Sequence, residues 1–103
     1  MADYQVTGNE GSQITSTQAQ EWINRYVATI GPSGIRSYLY GINKINDLMR
    51  LNGSNVRGIR IAYSLDPNNV PRLILYAVNS ENVILTAYIL EDGLPCPPFC
   101  SKP

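Results

Sequence analysis

Both cysteines of this chain lie close to its end, Cys96 and Cys100, separated by Pro97-Pro98-Phe99. Thiols at that spacing can hold a metal, exchange electrons, close a disulfide or simply pack. A zinc site wants four ligands and the sequence holds no histidine. The pair would therefore need a second chain, or carboxylates such as Glu91 and Asp92, to complete a site. C-x-x-x-C is also not the C-x-x-C of thioredoxin-like redox motifs. A disulfide across so short a loop is feasible, with a small entropic gain. The residues alone favour a structural role. In it, reduced thiols pack with Leu94 and Phe99 against a sheet and lock the C-terminus down, while Pro97-Pro98 holds a polyproline-like bend. The disulfide and the redox pair stay open beside it.

Other side chains offer other chemistry. Arg60 and Arg72 fall on neighbouring strands. With Tyr63 and Tyr76 they are the candidate residues for binding an anionic metabolite or nucleotide. Ordinary surface charge, paired with Glu81 or Asp66, is the simpler reading. Gly31-Pro32-Ser33-Gly34 lacks the lysine and the preceding strand of a phosphate loop. Asp47, Asp66, Glu81, Glu91 and Asp92 are available for acid–base work, but no two of them stand at a spacing that builds a shared cleft. The absence of histidine excludes Ser-His-Asp and Cys-His catalysis within one chain. The expectation is a protein that is not an enzyme and uses no cofactor and no metal. Trp22 and Tyr26, one helical turn apart, could stack on a ligand. Such a stripe more often forms the core face of a helix.

Those residues must be positioned by a small set of elements. Residues 1–14, with Gly8, Asn9, Gly11 and Ser12, show no period and read as a flexible arm. Thr15 with Gln18, or Thr17 with Gln20, fits a capping box. Trp22, Ile23, Tyr26, Val27 and Ile30 then recur at helical spacing until Gly31-Pro32. The spacing predicts a helix over 16–30. Residues 35–40 suit strand or helix and are taken as an extended or turn-like lead-in to a helix over 41–51, closed by Asn52-Gly53. From Val56 to Leu65 the period becomes two, with Ile59, Ile61, Tyr63 and Leu65 on one face and Arg60, Ala62 and Ser64 on the other. Asp66-Pro67-Asn68-Asn69 and Asn79-Ser80-Glu81-Asn82 are turns. They separate strands at 72–78 and 83–90, which gives an antiparallel meander.

The fold class read from this order is α+β: two helices on a three-stranded antiparallel meander, with a Pro/Cys-rich tail. One domain over 15–103 follows the arm. The second and third strands are apolar on both faces, whereas two short helices cover one. The other face therefore needs a cover from the tail, the arm or another copy. Eight basic residues balance eight acidic ones. That neutrality gives no steering toward nucleic acid or an anionic membrane and lowers the repulsion between copies. The first ten residues lack the basic start and apolar run of a signal peptide, so a cytoplasmic protein is expected.

Three stretches carry a resemblance. They are Gly58-Ile59-Arg60-Ile61-Ala62-Tyr63-Ser64-Leu65-Asp66, Pro71-x-Leu73-Ile74-Leu75, and the ending Leu94-Pro95-Cys96-Pro97-Pro98-Phe99-Cys100-Ser101. Together they resemble a family of small uncharacterised bacterial proteins of the Bacteroidetes type that ends in LPCPPxCS. The likeness spans roughly the last two thirds of the chain and implies no activity. The functional expectation thus rests on the residues. It is a non-enzymatic binding or self-assembly module, a homo-oligomer or the partner of another protein. A small anionic-ligand sensor and a thiol redox protein using Cys96 and Cys100 are the alternatives.

Overall fold

The computed structural model describes residues 4–102. They form two compact units, each built from two separate segments. The first joins residues up to Glu10 with Tyr40–Gly93, and the second joins Gly11–Leu39 with the residues from Leu94 onward. The α+β class and the antiparallel meander are as expected, and a separate two-stranded ribbon joins them.

In the first unit, helix α2 (Ile42–Arg50) precedes strands β2 (Gly58–Leu65), β3 (Pro71–Val78) and β4 (Ile84–Leu90), paired in that order. Strand β1 (Ser37–Leu39) belongs to the second unit. The two hairpin turns are built alike. Asp66 Oδ1 accepts from Asn68 N–H at 2.8 Å and Val70 N–H at 3.0 Å. Asn79 Oδ1 accepts from Glu81 N–H and Val83 N–H, both at 3.0 Å. Three residues after each Asx, an asparagine (Asn69, Asn82) adopts positive φ, which asparagine tolerates better than other side chains. The Asp66 carboxyl is held below its ordinary 3.8, chiefly by the Val70 N–H it accepts from.

Leu48, fully buried on α2, packs against Leu75, Ala77 and Leu90. Burying such a side chain stabilises by about 2–3 kcal/mol. The Tyr40 hydroxyl donates to the Leu73 carbonyl and ties the lead-in of α2 to β3. Leu75 faces Leu90 whereas Ala77 faces Leu85, so β4 carries extra residues in an irregularity. Asn52 serves that break as a substitute strand. Its Oδ1 accepts from Tyr88 N–H at 3.2 Å, and its Nδ2 donates to Tyr88 O at 2.9 Å and to Leu48 O at 2.7 Å. One amide therefore satisfies the interrupted ladder and the carboxyl end of the helix together.

Cross-strand partners share a face. Ile59 lies opposite Ala77, Ile61 opposite Leu75 and Tyr63 opposite Leu73. The apolar row of β2 therefore stands on the face that carries the core. Helix α2 packs on β3 and β4 and leaves that row open, with Ile61 55%, Leu65 66% and Tyr63 90% exposed. This differs from the expectation of an uncovered opposite face. On the opposite face Val6 is buried. Its side chain lies where a Cβ on Gly58 would meet it at 3.2 Å, and its N–H donates to Ser80 O at 2.8 Å. Part of the stretch read as a flexible arm, residues 1–14, is thus docked. Residues 1–3 lie outside the described part.

In the second unit, helix α1 (Ser16–Ile30) begins at the expected capping box, Thr15 with Gln18. It buries none of its residues, and Trp22, Ile23 and Tyr26 are exposed. The ambiguous segment 35–40 contains strand β1 (Ser37–Leu39), which pairs antiparallel with β5 (Leu94–Cys96).

Replacing Asn52 with Ala should lower stability by about 2 kcal/mol, because part-buried backbone groups of Tyr88 and Leu48 lose their partner. Urea denaturation monitored by circular dichroism measures this. A loss within error of zero would show that water replaces the amide at no cost.

Candidate functional site

The four residues singled out for an anionic ligand do not meet. Arg60 lies opposite Tyr76, and Arg72 lies opposite Ser64, four positions further along β2. That separation is about 13 Å. Tyr63 pairs with Leu73 on the other face. Arg72 is also neutralised: its Nε lies 3.2 Å from Asp66 Oδ2, and its Nη1 lies 3.5 Å from Glu91 Oε2 and 3.8 Å from Asp92 Oδ1. Five of the candidate groups for chemistry are therefore accounted for structurally, since Asp47 pairs with Arg50 at 2.9 Å.

Cys96 and Cys100 are joined in a disulfide, which replaces the reduced, packed thiols favoured from sequence. Closing so short a loop contributes about 2 kcal/mol by the chain-entropy account. It acts where help is needed, since a ribbon of two three-residue strands is marginal alone. Arg36 N–H donates to Cys96 O at 2.9 Å and Phe99 N–H to Pro95 O at 2.9 Å. The Arg36 guanidinium reaches Cys100 Sγ at 3.6 Å. The peptide bonds before Pro97 and Pro98 are cis, in place of a polyproline-like bend. Leu94 and Phe99 are exposed, contrary to expectation. Among the described residues no cluster of three metal-ligating side chains occurs, and no helix is long and apolar enough to cross a membrane.

The site that the geometry does build was not foreseen. The N-terminal turn and the start of β2 enclose a cleft of about 490 Å³, lined among others by Tyr4, Gly8, Glu10, Arg57, Arg60 and Asn82. Glu10 organises its rim. Its Oε2 accepts from Tyr4 OH at 2.7 Å, Thr7 N–H at 2.8 Å and Thr7 Oγ1 at 3.0 Å, and its Oε1 accepts from Gly8 N–H at 3.0 Å. These donors, the Thr7 N–H foremost and the Tyr4 hydroxyl next, lower its pKa from 4.5 to about 2. The same bond to Glu10 pushes the Tyr4 phenol above its ordinary 10.0. Gly8 turns the chain at φ 91°, a conformation glycine adopts readily. The signal in the sequence was local: a carboxylate two or three residues after a glycine and a threonine can collect their N–H groups. Compositional reading as a loose arm passed over it.

No protein family matches the chain, and neither a curated protein nor a solved structure is similar to it.

The stabilisation that ionised Glu10 gives the turn is complete above its unfolded value near 4.5 and fades as pH falls toward about 2. Amide NMR shifts of Thr7 and Gly8 followed against pH should titrate near the lower value. A midpoint at the ordinary glutamate value would mean the turn is open in solution.

Proposed function

We propose that this chain is a non-enzymatic protein-binding module that assembles with further copies of itself through the open row of β2. One observation carries the reading. Ile61, Tyr63 and Leu65 stand exposed side by side on a strand that borders the sheet, on the face that elsewhere forms the core. Apolar neighbours of that kind mark interaction surfaces, and a bordering strand offers unpaired backbone groups to another chain. Formal neutrality favours a like partner, because copies do not repel. The engagement of Asp47, Asp66, Glu91 and Asp92 in ion pairs supports a role without acid–base chemistry.

The closed Cys96–Cys100 bond favours an oxidising location over the cytoplasm, where thiols are kept reduced. It also favours a structural role for the pair over a redox one. The tail's likeness to Bacteroidetes proteins supports a bacterial origin and brings no activity.

Light scattering coupled to size exclusion at micromolar protein should give at least twice the single-chain mass. Tyr63→Asp and Leu65→Asp should each restore the single-chain mass without altering the circular dichroism spectrum, since a buried carboxylate at the contact costs several kcal/mol. A wild-type monomer that is also unaffected by either change removes the self-assembly reading.

A further inference from the structure

We propose that the cleft between the N-terminal turn and the start of β2 binds a small molecule that presents an oxyanion, a carboxylate or a phosphate ester, on an apolar body. The cleft holds two guanidinium groups, from Arg57 and Arg60, and among the described residues neither faces a carboxylate within ion-pair distance. Among the described residues Arg57 makes no side-chain hydrogen bond. Arg60 Nη2 donates to Asn82 Oδ1 at 2.8 Å, a neutral partner that leaves its charge uncompensated. Elsewhere in the same unit Arg50 and Arg72 each face carboxylates. The difference is local to the cleft.

Glu10 lines the cleft but does not neutralise it. Its oxygens are taken by Tyr4, Thr7 and Gly8, so it shapes the rim while two cations remain against one carboxylate. Gly8 sets the turn against the Arg57 stem: a Cβ there would stand 3.8 Å from Arg57 Cδ and Nε. Guanidinium donors have the planar fork that matches carboxylate and phosphate oxygens. The remaining wall is apolar, from Val6 and Val78. The volume falls in the range of small-molecule sites, about 300–1,000 Å³.

Amide and arginine Nε–H NMR shifts would be followed at neutral pH while benzoate, phenyl phosphate, inorganic phosphate or benzylammonium is added. Benzoate, phenyl phosphate or both should give saturable shifts at Gly8, Arg57, Gly58 and Arg60, and the tighter of the two identifies the oxyanion. Inorganic phosphate should bind more weakly and benzylammonium not at all. Arg57→Gln and Arg60→Gln, at exposed positions that leave the spectrum dispersed, should each weaken binding about tenfold. The proposal is overturned if neither aromatic anion saturates, if benzylammonium matches them, or if both variants bind as the wild type does. Inorganic phosphate binding as tightly as phenyl phosphate would overturn the apolar body.

Discussion

A single short helix has to shelter a three-stranded sheet, and the meander unit is shaped by how far it reaches. A helix is about 10 Å across and strands lie about 4.8 Å apart, so one helix shelters roughly two of them. Helix α2 packs on β3 and β4, placing Leu48 among Leu75, Ala77 and Leu90. The row on β2 is left in water as a result, although its register puts it on the core face. Asn52 holds this arrangement in place, because the helix end and the irregular part of β4 share its one amide.

Much of this was legible in the residues. Both hairpin turns follow from Asx side chains that accept N–H groups two and four residues on, with asparagine where φ turns positive. The capping box of α1 and the two-residue period of β2 were equally plain, as was the switch from helix to meander. What could not be read is which strands a helix lies across. Periodicity says that Ile59, Ile61, Tyr63 and Leu65 share a face. It does not say whether anything stands over them. The break in β4 was hidden for a similar reason: Val83 to Leu90 reads as an unbroken strand, and only the position of Asn52, distant in sequence, makes an interruption tolerable.

The sites were less legible than the fold. Arg60 and Arg72 looked like neighbours because they sit on paired strands, but register sets them four positions apart. Arg57, beside the meander, shares a cleft with Arg60 instead, through the docking of Val6 and the turn around Glu10. That association joins residues some fifty positions apart, which no local spacing could disclose. The state of the cysteines was similarly open, since the same five residues suit a bridge or two thiols.

Neither unit is a continuous run of sequence. The first takes its opening residues from one side of the stretch Gly11–Leu39 and the rest from the other, and β1 finds its strand partner only in β5, after the whole meander has been traversed. The two are modules in space but not along the chain. No single cut can free either one whole, and trimming the last ten residues would take away the only strand that β1 pairs with among the described residues.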